Sequence, residues 1–243
     1  PRGGSLTQLS NSVGILDRMS VCHTPDGFVP FLSREGLYRI VPGAGGIEPL
    51  SKRKIPKELI RIDKSKYWVT MAYDGVDQGV HIYITPYTST ETARHWWFDW
   101  TDGTYWPVQV PTGMDPFAVL SHDIPGDESA VVLAGCRDGY VRRYDDNQVD
   151  DDGEDLNSYA MIGPIRTNRN DQEGVIRQMI GTLAESSADV NWSMYLGRTP
   201  EAAIKGSAWP SGLWVEGLNY NDAIRARGAS VFLKLASTGR WAF

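Results

Sequence analysis

The sequence has little of what marks a disulfide-linked, membrane-spanning or strongly basic protein. It contains only two cysteines among 243 residues, which is too few for a disulfide framework or for a zinc site made of cysteines alone. It has no run of about 18 apolar residues, so no transmembrane helix is expected. The net charge is −6, which argues against a sequence-specific DNA-binding protein.

The common catalytic motifs are also absent. The chain has no Gly-x-Ser-x-Gly nucleophile elbow, no His-Glu-x-x-His and no phosphate-binding Gly-x4-Gly-Lys-Ser/Thr. Segment 43–48 starts like a dinucleotide-binding loop, but Glu48 stands where Gly is required. The four histidines lack metal-ligand spacing, and a lone strand histidine such as His81 is expected to be packed or hydrogen-bonded. The sequence therefore predicts no catalytic residue, no cofactor and no metal site.

Glycine, proline and aromatic residues are abundant instead, with 25 glycines, 14 prolines and 11% aromatics. Turn formers and aromatics in this proportion favour an all-β chain. Up to residue 144, an acid followed by glycine repeatedly separates two apolar strands, and Asp-Gly supplies the positive φ of tight hairpin turns. These turns contain Gly27, Gly36, Gly75, Gly103 and Gly139.

The spacing of these turns predicts an architecture. From Gly36 onwards, the next turns follow after 39, 28 and 36 residues. A period near 40 with about four short strands is typical of a β-propeller blade. We therefore expect residues 1–145 to form a propeller-like β domain of about three blades, with an ordinary meander sheet or sandwich as the alternative. The only helical pattern in this region covers 55–60, with Pro56 in its first turn.

Residues 145–155 contain seven acids and no base, so the rest of the chain carries a charge of +1. The segment looks like a calcium loop, but an EF-hand centred on Gly153 would need an acid at 148 and Glu at 159. The chain has Gln148 and Tyr159 there. We predict that 146–155 is an acidic linker or loop, extended by its own charge, between two domains.

The tail, residues 156–243, predicts a β-sandwich domain closed by Trp241 and Phe243. Its alternating apolar residues are typical of strands with one buried face, and a Thr-Pro pair is a common way to begin a helix. The elements predicted are a pair of strands at 175–184 and 190–196, a helical turn at 199–204 capped by Thr199, and a last strand in which Val231, Leu233 and Leu235 share a face.

An aromatic cluster, Trp96 to Trp106, is the most unusual local feature. Alternation places Trp96, Phe98 and Trp100 on one face of a strand and Trp97 on the other. Packing between sheets is one interpretation. A carbohydrate-binding platform is another, because indole rings can stack on sugar rings, and Trp is also enriched at subunit contacts. Trp97, as the exposed member, is the candidate interface residue.

Four aspartates could serve a propeller glycosidase, which needs two carboxylates: Asp99, Asp102, Asp115 and Asp138. Asp102 and Asp138 lie inside Asp-Gly turns, where a carboxylate accepts hydrogen bonds from its own backbone. We therefore expect these acids to shape turns, with the glycosidase as a third possibility.

Basic residues occur in small groups and not in a stripe. One group is Lys52-Arg53-Lys54, followed by Lys57. A surface along which DNA slides needs little positive charge, because many phosphate contacts would hold the polymer in place. The candidate interface arginines are Arg142, Arg143, Arg225 and Arg227.

Five segments carry short motifs of apolar strands and glycine turns: Ser12–Leu16, Phe28–Tyr38, His95–Trp100, Leu133–Tyr140 and Arg225–Leu235. Together they resemble the propeller-containing tail proteins of bacteriophages, namely the nozzle or tail tubular proteins of short-tailed phages. The resemblance implies a non-enzymatic virion protein of the tail whose copies form a ring, for example of six, next to the head-to-tail connector. Such a ring retains double-stranded DNA and later conducts it, contacting it without sequence specificity. No catalytic residues come with this family.

Overall fold

The computed structural model describes residues 8–43, 45–50, 55–123, 130–145, 148, 150–169 and 172–242. This part of the chain is nearly all β, with one short α-helix and one 3-10 turn, so the all-β prediction is confirmed. The chain divides into two compact units, 1–146 and 147–243. Within the described residues, no helix is long and apolar enough to cross a membrane.

The first unit contains three antiparallel sheets, which we call A, B and C. In each of them successive strands are neighbours, so the chain runs back and forth across the sheet. Sheet A consists of β1 (Val29–Ser33), β2 (Gly36–Ile40) and β3 (Ile47–Pro49). Sheet B consists of β4 (Tyr67–Asp74), β5 (Gly79–Pro86), β6 (Arg94–Asp99) and β7 (Tyr105–Val108). Sheet C consists of β8 (Pro116–His122), β9 (Val131–Cys136) and β10 (Val141–Arg143).

Most of the glycine turns have the predicted conformation. Gly103 and Gly139 have φ of 64° and 89° and stand between neighbouring strands, and Gly27, with φ of 80°, stands just before β1. The turn between β4 and β5 differs, because the left-handed residue there is Gln78 with φ of 51° and not Gly75. Its loop is closed instead by Oδ1 of Asp74, which accepts a 2.8 Å hydrogen bond from the backbone N–H of Val76.

Sheet B is covered on both faces. All eight residues of β5 are buried, although alternate side chains of a strand point in opposite directions. The face towards sheet A is apolar, and its side chains form one cluster with those of sheet A and its flanking turns. That cluster includes Leu32, Leu37, Leu59, Val69, Met71, Val80, Ile82, Ile84 and Phe98.

The helical pattern at 55–60 forms a single 3-10 turn, Lys57–Leu59, after Pro56. Leu59 is completely buried in the cluster between sheets A and B. The short turn therefore places one apolar side chain in the core.

The second unit contains two antiparallel sheets. Its elements in chain order are β11 (Ser158–Arg166), β12 (Gly174–Leu183), β13 (Val190–Gly197), α1 (Pro200–Lys205), β14 (Ser211–Trp214), β15 (Gly217–Gly228) and β16 (Ser230–Ser237). Sheet D has the strand order β11-β16-β13-β14, and sheet E is the pair β12-β15. Side chains from both sheets meet in one buried cluster that contains Leu183, Trp192, Met194, Trp214 and Leu235.

The segments predicted as a strand pair are both strands, but they do not pair with each other. β12 pairs with β15, whereas β13 lies between β14 and β16. The predicted helical cap is confirmed, because Oγ1 of Thr199 accepts a 3.2 Å hydrogen bond from the N–H of Ala202. Leu233, Leu235 and Trp241 contact the core cluster, and Phe243 lies outside the described residues.

The described part of the acidic segment, 148 and 150–155, forms a tight turn. Asp151 and Glu154 form an isolated bridge, and Gly153 between them has φ of 89°. Oδ1 of Asp150 accepts a 2.9 Å hydrogen bond from the N–H of Gly153. Burial, and then the charge of Asp150, raise the pKa of Asp151 above its ordinary value.

Candidate functional site

The face of sheet B towards sheet C carries polar side chains, in contrast to the opposite face. They are in register across the strands: Thr70 lies opposite Tyr83, and Tyr83 lies opposite His95. His81 lies one step further along β5 on the same face, opposite Trp97. The buried polar or ionisable members of this face are Thr70, Asp74, His81, Tyr83, Thr85 and His95, and we call them the polar face of sheet B.

His81 is the centre of a chain of polar contacts. Its Nδ1 is within hydrogen-bond distance of the hydroxyl of Tyr83, at 3.2 Å, and its Nε2 is within ion-pair distance of Oδ2 of Asp74, at 3.5 Å. The Tyr83 hydroxyl also shares a hydrogen bond with the hydroxyl of Tyr144, the residue that follows β10 by one position. The chain Asp74–His81–Tyr83–Tyr144 therefore fastens the last part of the first unit to sheet B.

The protonation of this chain follows from its surroundings. Burial raises the pKa of the Asp74 carboxyl, but the hydrogen bonds from His81, Val76 and Asp77 lower it by more, so it lies below its ordinary value. Burial, together with the contact to Tyr144, raises the pKa of Tyr83 well above its ordinary value. At neutral pH Asp74 is therefore a carboxylate, and Tyr83 keeps the proton that it donates.

A second ionic cluster lies where β6 begins and β8 begins. Nε2 of His95 lies 3.1 Å from Oδ1 of Asp115, and Nε of Arg137 lies 3.7 Å from the other oxygen of the same carboxylate. The Arg137 guanidinium also lies over the ring of Phe117, 4.8 Å from its centroid, and donates to the carbonyl of Pro86. The cluster holds sheets B and C together at their ends.

The candidate catalytic acids take part in turns. Oδ1 of Asp138 accepts from the N–H of Tyr140, as expected, and its Oδ2 lies 2.7 Å from Arg142. In the turn between β6 and β7, the carboxylate of Asp99 accepts hydrogen bonds from the backbone N–H groups of Thr101 and Asp102. The prediction that Asp102 itself serves this turn is wrong, because the hydrogen bonds run back to the last residue of β6.

The fold does not place these four aspartates around a common pocket. A surface pocket of about 690 Å³ is lined by residues 34–35 and 60–65, away from the polar face, and its charged side chains include both signs. Among the residues that the structure describes, no group of three His, Cys, Asp or Glu side chains is placed to hold a metal ion. The buried polar side chains between sheets B and C can thus form hydrogen bonds that hold the two sheets in place.

The aromatic cluster divides between the two faces of sheet B. Phe98 is buried, and Trp96 and Trp100 pack against the apolar cluster, which confirms the predicted alternation. Trp97 is half-buried and not the exposed member, because the missing side chain of Gly79 leaves space for its indole. The exposed member is Trp106, with 58% of its surface accessible, directly opposite Trp97 on β7.

The candidate arginines fall in both units. Arg142 pairs with Asp138, and Arg143 is exposed at the end of β10. In the second unit, Nε of Arg227 lies 3.4 Å from Glu173, and Arg225 is exposed with φ of 50°. Lys52, Arg53 and Lys54 lie outside the described residues.

The chain of polar contacts around His81 was not predicted from the sequence. One pattern could have found part of it: His81 and Tyr83 are two positions apart in a strand, so they share a face. Tyr144 lies 61 residues from Tyr83, and only the folded arrangement of sheets brings the two together.

No family model matches this chain, and no curated protein matches it. Function must therefore be inferred from the sheets and side chains themselves.

Proposed function

We propose that the chain is a non-enzymatic structural protein of a bacteriophage tail. Its copies assemble into a ring or nozzle, next to other tail or connector proteins, that retains DNA in the virion and then conducts it. The observation that carries the proposal is the succession of sheets A, B and C as antiparallel meanders, with the middle sheet covered on both faces. Stacked short meanders are typical of consecutive propeller blades, and the resembling phage proteins contain such propellers.

The contacts of the first strands support the propeller assignment. β4 and β8, the first strands of sheets B and C, are in contact, as the inner strands of neighbouring blades are. The indole N–H of Trp68 donates to the carbonyl of Phe117 at 2.7 Å, and Thr85 Oγ1 donates to that of Pro116 at 2.5 Å. On the other side of sheet B, the N–H of Met71 donates to the carbonyl of Met19, just before sheet A. We take the first unit as an arc of three blades.

The second unit fits a β-sandwich. Sheets D and E contribute side chains to the same buried cluster, and the inward residues of β13 alternate with outward ones. A propeller arc followed along the chain by a sandwich gives two compact modules, which suits a protein that serves as a building unit of a larger particle.

The contacts that the candidate aspartates make support a structural role and not a catalytic one. Asp99 and Asp138 bind backbone N–H groups, and Asp115 lies between His95 and Arg137. The arginines near the predicted interface are partly neutralised, as Arg142 is by Asp138 and Arg227 is by Glu173. Weak positive charge of this kind attracts phosphates without holding them, which is what passing DNA requires.

The test is the state of assembly of the purified chain. Light scattering after size-exclusion chromatography and negative-stain electron microscopy are expected to give a closed ring with a central opening. Binding of duplex DNA, followed by fluorescence anisotropy, is expected to be weak and independent of sequence. A chain that stays monomeric at every concentration and salt contradicts the proposal.

Exposure of Trp106 favours one alternative, a carbohydrate-binding receptor-recognition module. Trp106 lies beside Trp97 across the strand pair, so an indole surface is open to a sugar ring. A glycan array followed by Trp106→Ala and Trp97→Ala variants distinguishes the two functions. Binding to a defined glycan that is lost in Trp106→Ala supports the alternative, and no glycan binding supports the tail protein.

A further inference from the structure

Sheet D ends in two edge strands, β11 and β14. Within the described part of the second unit, each of them pairs with one strand only: β11 with β16, and β14 with β13. An edge strand presents a row of backbone N–H and C=O groups that can pair with a strand of another chain.

β11 carries Pro164 and a shift in register beyond Ile162, but its segment 158–162 has little of the protection that edge strands usually have. From Ser158 to Ile165 it contains no charged residue, and its apolar side chains are exposed, with Tyr159 at 63%. Monomeric proteins usually have charged residues or bulges along such an edge. Here the register shifts only after Ile162, so 158–162 remains a regular edge of five residues.

β14, at the opposite edge, is one residue shorter than this segment and resembles it in chemistry. It has four residues, Ser211–Trp214, and half of the surface of Leu213 is exposed. Leu213 lies opposite Asn191, which lies opposite Ala236, which lies opposite Tyr159. Residues in one such row share a face, so both edges carry an exposed apolar side chain on the same face of sheet D.

The strand directions allow the two edges to meet. All pairs in sheet D are antiparallel and the number of strands is four, so β14 runs opposite to β11. A second copy placed at the edge of the sheet in the same orientation therefore brings its β11 antiparallel to β14, and the sheet continues without a reversal.

We propose that β14 of one copy pairs with segment 158–162 of β11 in the next copy. This contact rests on the ring assembly proposed above and names the surfaces that form it. Backbone hydrogen bonds join the edges, and Leu213 packs against the neighbouring copy's exposed Tyr159 and Met161. Because the two surfaces differ, the contact is head-to-tail, which is the kind that closes into rings.

The experiment uses the full chain with one glutamate at either edge. Tyr159→Glu places its carboxylate near Lys234, whose Nζ lies 4.9 Å from the Tyr159 ring, so folding is preserved. Leu213→Glu alters the other edge, and Tyr220→Glu, on the exposed face of β15, is the matched control with similar exposure. Light scattering should give monomers for the two edge variants and full assembly for the control, with unchanged circular dichroism for all three.

Mixing the two edge variants gives the decisive result. The Tyr159→Glu copy retains an intact β14, and the Leu213→Glu copy retains an intact β11, so the mixture should form a 1:1 complex of two copies. Rings that persist in both edge variants, or a mixture that stays monomeric, overturns this contact alone. Unmodified protein that is always monomeric, or that stops at two copies, overturns the proposed ring function as well.

Discussion

At the scale of single residues, Gly79 determines how Trp97 packs. A Cβ at Gly79 would lie 2.0 Å from Cζ2 of the Trp97 indole, which itself lies against the ring of His81. Gly79→Ala is therefore expected to lower the free energy of unfolding by about 2 kcal/mol, measured by urea denaturation. Gly75→Ala is the control, because nothing lies within 4 Å of its Cβ position. Equal midpoints for the two variants would contradict this packing.

Two buried threonines on the polar face of sheet B allow a direct comparison. Oγ1 of Thr70 has no hydrogen-bond partner among the described residues, whereas Thr85 Oγ1 donates to Pro116. Thr85→Val should lose about 1 kcal/mol, because the carbonyl of Pro116 is left unpaired. Thr70→Val should be neutral or stabilising in the same denaturation experiment. An equal loss at both positions would mean that Thr70 has a bound partner in solution.

Asp74 connects stability to pH. Since its pKa in the folded protein is below the value of about 3.9 in an unfolded chain, its contribution is present above that value. The contribution is lost as the pH falls through the lower folded pKa. The stability difference between the unmodified protein and Asp74→Asn should therefore shrink as the pH falls below about 3.9. Denaturation midpoints above and below this pH measure it, and a constant difference would argue against a charged Asp74.

The sequence could place Trp97 on the opposite face from Phe98, because alternation within one strand is a local property. It could not show that Trp97 is half-buried. That outcome depends on Gly79, which belongs to another strand and meets the indole only through the register of β5 with β6. For the same reason, the sequence around His81 could not predict that Tyr144 lies close to it.

At the scale of elements, the sequence predicted several strands correctly but not their partners. Alternating apolar residues indicate a strand with one buried face, and this pattern correctly predicted β12, β13 and β16. It carries no information on which strand completes the hydrogen bonds, so the pairing of β12 with β15 was missed. β11 was not predicted at all, because both of its faces are exposed and no period results.

The cap of α1 is a local feature that can be tested directly. Thr199→Ala removes the hydrogen bond to the N–H of Ala202 and should cost about 1 kcal/mol in the free energy of unfolding. Ser207→Ala, at an exposed position beyond the helix, should change it by less than about 0.5 kcal/mol. Thermal denaturation of the two variants measures the difference, and the same melting temperature for both would contradict the cap.

At the scale of the whole molecule, the acidic segment lies next to the division between the two units. Glu154 is exposed and stands in a tight turn outside the sheets. Brief digestion with a glutamate-specific protease should therefore cut first after Glu154 and give two fragments, identified by mass spectrometry. Earlier cleavage at Glu58 or Glu173 would show that the acidic turn is better protected than its exposure indicates.

The two faces of the central sheet also make its neighbours unequal. Separating sheet A would expose the larger apolar cluster to water, whereas detaching sheet C would expose a smaller apolar cluster together with hydroxyl, imidazole and carboxyl groups that water solvates readily. Local unfolding of the first unit should thus begin on the side of sheet C, with loss of the hydrogen bond between Tyr144 and Tyr83. Sheets A and B should stay packed together as the more stable part of the unit.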